Sequence, residues 1–330
     1  MKNLDYSKVM KFARYAKKRA HRPLSLFWID SLRSVFKYNI AIEEFYQFRF
    51  FELPEQAKSS FAGTGYMYEY QRIMNPPVGR LLLADKIQFL RAYRTFVKHE
   101  YATIDELRKD PDLARRLLQT SSGKIVLKST DGQCGRGIEV HQSKGFTPDS
   151  LLERLISSGN DFVEAFVTQH RELMRLSPSG LNTVRVITQL DKDNQVDIIG
   201  TRLRITVNSP VDNLAAGNIA APIDVETGRV TGPGVYSDIT KTDEYQHPVT
   251  GVDIVGFQVP FWPQTIQMCK EAALVDTRNR SIGWDVAITD EGPELIEGNH
   301  DWCKLLWQLP VKQGLKPVLE KYRKELVEKI

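Results

Sequence analysis

Tyr6, Val9, Met10 and Ala13 recur at i, i+3, i+4 and i+7, the spacing of one helix face, and predict an amphipathic helix at the amino terminus. The pattern stays helical to about residue 75 and becomes densely aromatic, with Phe27, Trp28, Phe36, Tyr38, Phe45, Tyr46, Phe48, Phe50 and Phe51 within 25 residues. Pro54 closes the third helical stretch. Such rings can stack on bases, but without Arg and Lys interleaved in a strand pattern they read as a helical core. A turn-rich patch follows (Gly63, Gly65, Asn75, Pro76, Pro77, Gly79). Leu81 to Val97 then reads as a strand end or turn running into a helix capped by Asp85.

From Lys124 the period changes to two. Lys124 to Ser129 and Gly137 to Gln142 predict strands flanking the loop Thr130 to Gly137. Thr147 as cap, Pro148 in the first turn and Gly159 at the stop bracket a helix. Further strands are predicted over 161–167, 183–190 and 196–207, then a helix near 262–275. Ile282 to Thr289 and Glu294 to Asn299 follow as strands joined by a turn, and residues 316–330 form an amphipathic carboxy-terminal helix. The order of elements indicates an α+β protein with antiparallel sheets.

Composition supports a folded globule: 330 residues, 42% hydrophobic and 26% charged, are enough apolar material to offset ordering entropy. No apolar run approaches the roughly 20 residues of a membrane span, and the amino terminus lacks the continuous apolar stretch of a secretory signal. Cys134, Cys269 and Cys303 are odd in number and widely spaced, which fits neither a disulfide framework nor a metal knuckle and suits a reducing cytoplasm. The net charge of +4 is unevenly spread. Residues 1–22 hold eight basic side chains against Asp5, so the remaining body is mildly acidic. That basic helix is either a solvated face docked on the body, the favoured reading, or a contact for anionic lipid or polymer. A nucleic-acid binder is disfavoured, because the body is acidic and no groove-reading motif occurs.

Three constellations can carry chemistry. The loop Asp131 to Gly137, with Gly132, Gly135, Arg136 and Gly137, frees its backbone to form an anion-binding nest, and Lys128 just ahead of it can neutralise a phosphate. A flexible hairpin and a surface lysine are the bland alternatives, and Cys134 is assigned no chemistry. In the final hairpin, a turn centred on Glu291 sets Asp285 opposite Glu297 with Asn299 on the same face and Val286 opposite Ile296 on the other. Opposed carboxylates repel unless a cation lies between them, and hard oxygen ligands suit Mg²⁺. Third, Asn182, Thr183, Arg185, Arg202, Arg204, Asp212, Asn213, Gly217 and Asn218 offer forked donors to phosphate or carboxylate. No HExxH or Ser-His-Asp spacing occurs.

Asp85-Lys86, Ile125 to Ser129, Gly135-Arg136-Gly137, Glu164 to Val167 and the Asp285, Glu297, Asn299 set occur in the order found in ATP-grasp proteins, which the chain resembles over roughly residues 80–305. LNTVRVIT, VDNLAAGNIAAPIDVETGRV, HPVTG and GWDVAI resemble more narrowly the sugar-transfer-associated ATP-grasp family. The resemblance implies an ATP-grasp fold behind a helical region 1–78. The ATP-grasp domain would span 79–305, with a small lobe at about 120–165 and a large lobe at about 166–305, and the terminal helix would occupy 306–330. It implies ATP and Mg as cofactors. Lys86 and Lys128 would hold phosphates beneath the Asp131 to Gly137 flap. Glu164, Phe166 and Val167 would meet the adenine at the hinge, and His170 the ribose. Asp285, Glu297 and Asn299 would bind the metal, while Arg185, Arg204 and Asn213 would act on the γ-phosphate and acyl phosphate or acceptor. Gly217-Asn218 stands where many relatives have two glycines, and no Pro-Gly pair follows Asn299; both departures concern the acceptor pocket.

The implied activity is a Mg·ATP-dependent carboxylate–amine ligase working through an acyl phosphate on small-molecule or sugar-linked substrates in cell-envelope or exopolysaccharide assembly. The alternatives are phosphoryl transfer on the same fold and a non-catalytic assembly adaptor. The expected location is the cytoplasm, with peripheral membrane contact through the basic helix as a variant.

Overall fold

A computed structural model describes residues 5–130 and 138–327. Nine strands occur among them: β1 (Tyr101–Thr103), β2 (Lys124–Lys128), β3 (Glu139–Gln142), β4 (Phe162–Ala165), β5 (Val184–Leu190), β6 (Val196–Ile205), β7 (Ile219–Pro222), β8 (Ser281–Thr289) and β9 (Gly292–Asn299). They form a small sheet in the order β1-β4-β2-β3 and a large one in the order β7-β6-β5-β8-β9. Every pairing is antiparallel.

Alternation decides which faces are covered. In the small sheet Ile125, Leu127, Val163 and Ala165 point into a core with Leu107, Ala114, Leu117, Leu151 and Leu155 from three helices. The helix Pro148–Ser158 among them begins at the Thr147 cap and ends at left-handed Gly159, as its sequence predicts. Lys124, Val126, Lys128 and Glu164 alternate with that buried set and so occupy the other face. In the large sheet Val184, Val186, Leu203, Trp284 and Val286 face a core closed by the helix Trp262–Ala273 and by Leu83, Phe89 and Tyr93. Asp85 does cap the helix Lys86–Ala92, accepting from the Ile87 and Gln88 amides, but the preceding segment is the helix Pro77–Ala84 rather than a strand end. Pro77 in its first turn starts it, a signal the apolar run Leu81 to Ala84 obscures.

The amino-terminal aromatics form their own core, in which Phe12, Phe27, Phe45, Tyr46 and Phe50 are buried with Ile239. That core is anchored to the sheets by Glu44, whose carboxylate accepts from the Thr64 amide and hydroxyl and the Ala41 amide and pairs with Lys304 at 2.8 Å. Removing this nearly buried carboxylate strands four donors. Glu44→Ala should therefore lower unfolding free energy by about 3 kcal/mol; a loss below about 1 kcal/mol in urea denaturation would show that the anchor adds little.

The final hairpin corrects one expectation. Its turn pairs Thr289 with Gly292, so Val286 meets Leu295 and not Ile296. A register shift between Asp285 and Val286 then leaves Ile296 as an extra residue in β9, and only beyond it do Asp285 and Glu297 stand opposite. The expected carboxylate pair is present, therefore, through a turn one register shorter and a bulge that compensates.

Candidate nucleotide and cation site

One row across the large sheet concentrates its charge. Arg202 of β6, Arg185 of β5, Asp285 of β8 and Glu297 of β9 are successive cross-strand partners. Arg185 Nε donates to Asp285 Oδ1 at 2.6 Å and Arg204 Nη1 to Asp285 Oδ2 at 2.8 Å. Arg204 also pairs with Asp212 at 2.7 Å, and the Thr183 amide and hydroxyl donate to Asp212. Burial opposes the Asp285 charge, but the two guanidinium groups outweigh it and hold the carboxyl well below the usual range. Gly283 makes room for this: a Cβ there would lie 2.6 Å from Trp302 Cβ and 3.2 Å from Arg185 Nη1. Arg202 is different in kind, since it is buried and donates to the Trp307 and Thr201 carbonyls; burial with no carboxylate lowers its proton affinity to about 10.

Glu297 has the opposite environment to Asp285. Its side chain is exposed to solvent, yet desolvation by the protein around it, together with Asp285, pushes its carboxyl up to about 7. Asn299 Nδ2 donates to Glu297 Oε1 at 3.2 Å and to the Gly283 carbonyl. Among the described residues no group of three or more His, Cys, Asp and Glu could hold a metal ion, so the candidate set is two carboxylates and an amide. Its chemistry fits Mg²⁺: hard oxygens, and a Glu297 carboxyl that burial and Asp285 raise by more than the Arg185 guanidinium offsets.

Across from this row, Lys128 of β2 pairs with Glu164 of β4. Lys86 Nζ donates to the Ser129 carbonyl at 2.8 Å, bringing both candidate phosphate lysines to the end of β2. Asp161 accepts from the Thr130 amide and hydroxyl, fixing the start of the flap loop. Gly132, Gly135, Arg136 and Gly137, like Cys134, lie outside the described residues. Phe166 follows β4 with the Lys124 ammonium 5.3 Å from its ring centroid, and Val167 continues the segment.

Other candidates are engaged in structure. His170 caps the helix Arg171–Leu176 by accepting from the Glu172 amide, and its own amide donates to the Ile288 carbonyl, at the turn end of β8. Asn213 caps a short helical turn through the Ala215 amide, adjacent to Asp212. Asn182 and Asn218 are buried and satisfy backbone groups. His247 of the HPVTG segment likewise bonds the Thr206 carbonyl and the Thr250 amide.

Two residues at the site carry no signal in sequence. Glu294 of β9 accepts from the Lys98 and His99 amides and from His99 Nδ1 at 2.7 Å, and His99 Nε2 lies 3.8 Å from Glu164 Oε1. The chain of charges Glu294, His99, Glu164, Lys128 thus joins the two sheets. Burial disfavours the imidazolium, but the two carboxylates outweigh it and raise it to about 9; burial also opposes the Glu164 charge, and Lys128 and His99 lower it to about 2. The raised imidazole contributes stability that is complete below about pH 6.5 and is lost as pH rises through about 9. Urea midpoints should fall between about pH 7 and about pH 10, with the fall reduced in His99→Gln; equal falls in both proteins would contradict the assignment.

The geometry can be set beside known proteins. No curated protein matches the chain. Among solved structures, the ATP-grasp ligase PsnB complexed with minimal precursor aligns at 14% identity over 76% of this chain and 63% of its own, with a TM-score of 0.44. D-cycloserine synthetase DcsG aligns at 12% identity over 80% and 78%, with a TM-score of 0.44. D-alanyl-alanine synthetase A from Vibrio cholerae aligns at 12% identity over 75% and 66%, with a TM-score of 0.42. The first three solved structures matched are longer proteins, of which this chain spans 63%, 46% and 52%. The model of the sugar-transfer-associated ATP-grasp family matches residues 66–324. ATP-grasp homologues are ATP-dependent ligases, and ATP and Mg are their usual cofactors. With well over half of its length matched, the chain belongs to the sugar-transfer-associated ATP-grasp family.

Proposed function

We propose that the chain is a Mg·ATP-dependent carboxylate–amine ligase that forms an amide through an acyl phosphate, on a sugar, polysaccharide precursor or amino acid used in envelope or exopolysaccharide assembly. The supporting observation is the charged row Arg185, Asp285, Glu297 with Arg204, beside the Lys86 and Lys128 pair. In this reading Lys86 and Lys128 orient the triphosphate, and Asp285, Glu297 and Asn299 hold Mg²⁺, which when bound neutralises charge on the phosphate oxygens. Arg185, kept rigid by Asp285, and Arg204, kept rigid by Asp285 and Asp212, supply fixed donors where phosphoryl charge develops. The substrate carboxylate takes the γ-phosphoryl group and releases ADP; the amine then displaces phosphate. No protein nucleophile is required.

Thermal unfolding with and without Mg·ATP tests the nucleotide site, since a ligand at about 100 times its dissociation constant adds about 2.7 kcal/mol. A magnesium-dependent rise is expected, and no shift at millimolar nucleotide would oppose the reading. Hydroxylamine trapping separates ligase from phosphotransferase, because only an acyl phosphate gives a hydroxamate.

A membrane-associated reading is favoured by one observation. On the helix Leu24–Tyr38, Leu26, Ile29, Leu32 and Phe36 are exposed, Phe36 at 87%. The basic leading helix is docked on the body, pairing Lys8 with Glu43, Lys11 with Asp238 and Arg19 with Glu52. No helix among the described residues is long and apolar enough to cross a membrane. In this reading peripheral contact combines the exposed stripe of the second helix with the solvent-facing cations Arg14, Lys17 and Lys18 of the first. Phe36→Asp should abolish co-sedimentation with anionic liposomes, whereas unchanged sedimentation would exclude the stripe.

A further inference from the structure

The tie between the sheets has an unusual charge order. Glu294, His99, Glu164 and Lys128 alternate in sign, and the first three side chains are 4%, 5% and 9% exposed. Glu294 Oε2 already accepts from two amides and the ring Nδ1. Glu164 has two cations, His99 on one side and Lys128 on the other. The charged groups facing the imidazole are Glu294 from β9 and Glu164 from β4, with Lys128 of β2 beyond. The neighbouring Lys98 ammonium is turned away, donating to the Glu291 carbonyl.

A buried carboxylate that loses its only cation is costly, whereas one that retains a second cation is not. Lys128 is the group that a phosphate would draw off Glu164. We propose that protonated His99 is the resident counter-ion of Glu164, keeping that carboxylate compensated when Lys128 turns to the phosphates of a bound nucleotide. His99 is then a positioning residue: it touches no substrate, and it lowers the cost of releasing the lysine. The inference rests on the reading of Lys86, Lys128, Asp285 and Glu297 as a Mg·ATP site. It adds that nucleotide affinity is tied to one imidazole's protonation, because a neutral ring leaves Glu164 to hold Lys128 alone.

Mg·ATP binding to the full chain, measured by titration calorimetry at about pH 8 and about pH 9.5, tests this. The wild type should bind several-fold more weakly at the higher pH. His99→Gln should bind about tenfold more weakly at pH 8, a loss of roughly 1.4 kcal/mol, and lose the pH step. Glu164→Gln, placed in the His99→Gln background, should tighten binding again, because no carboxylate then competes for the lysine; a merely structural histidine would show no such rescue. Wild-type affinity in His99→Gln, or no tightening in the double variant, overturns the proposal. Should His99→Gln not fold, Glu164→Gln alone should bind without the pH step, and persistence of the step is equally fatal. Absence of Mg·ATP binding by the wild type overturns the nucleotide reading, and this inference with it. The ring itself is tested without nucleotide: by NMR, His99 should remain protonated at pH 8 and lose that proton in Glu294→Gln, whereas an ordinary imidazole titration in the wild type removes the counter-ion.

Discussion

Glu297→Gln should lower ATP turnover by about a thousandfold while leaving the fold intact, and above pH 7 it should slightly raise stability. The first effect follows from the proposed cation site, where the amide keeps the shape of the side chain but removes one of two anionic ligands. The second follows from electrostatics alone. Burial and the opposed Asp285 push the Glu297 carboxyl up to about 7, so the native state retains a proton that the unfolded chain has already lost. Stability associated with this group is therefore present at low pH and disappears as pH rises from about 4.5 through about 7. Because the side chain is accessible, screening leaves a gain on the order of 1 kcal/mol for the neutral amide at pH 8. Phosphate release and urea denaturation on the same preparation check both. Full turnover would remove Glu297 from the cation site, and a large loss of stability would show that its charge is compensated.

Arg185→Leu should be the most destabilising single change at the site. Arg185 is 6% exposed and Asp285 3%, and their 2.6 Å bond lies in the middle of the five-stranded sheet. Removing the guanidinium leaves a buried carboxylate with Arg204 as its remaining cation, at a cost of about 3–5 kcal/mol. Combining it with Asp285→Leu should cost less than the sum of the two single changes, since the second removes the stranded charge. Additive losses in denaturant titrations would mean that the pair is not coupled.

The elements that could be read from sequence are those whose side chains repeat regularly over enough residues. The helix after Thr147, strands β5, β6, β8 and β9 and the leading amphipathic helix all satisfy that condition. Strand β1 has three residues, too few for a period of two to emerge, and β7 reads Ile-Ala-Ala-Pro, apolar and buried throughout, so it shows no alternation. The candidate cation set was visible because Asp285, Glu297 and Asn299 belong to one hairpin. His99, Glu164 and Glu294 come from three separated segments, and only the packing of one sheet against the other brings them together. Asn213 and His170 were visible as polar residues in plausible places, but a side chain that caps a helix looks the same in sequence as one that awaits a ligand.

The extra residue in β9 has a genetic consequence. Glu294 and Glu297 are three apart, an odd separation that puts two side chains on opposite faces of a regular strand. Here both point to the same side, Glu294 to His99 and Glu297 opposite Asp285, while Leu295 and Gly298 pack toward the core. The bulge at Ile296 is what makes that possible, because one unpaired residue restores the alternation that an odd separation would break. A library covering this codon should accept many replacements of Ile296 and also its deletion, which leaves the two glutamates two apart in a regular strand. A family tree of such chains would then show a position free to drift in identity and in length by one codon, because with or without the extra residue both acidic side chains stay off the apolar layer beneath Trp284.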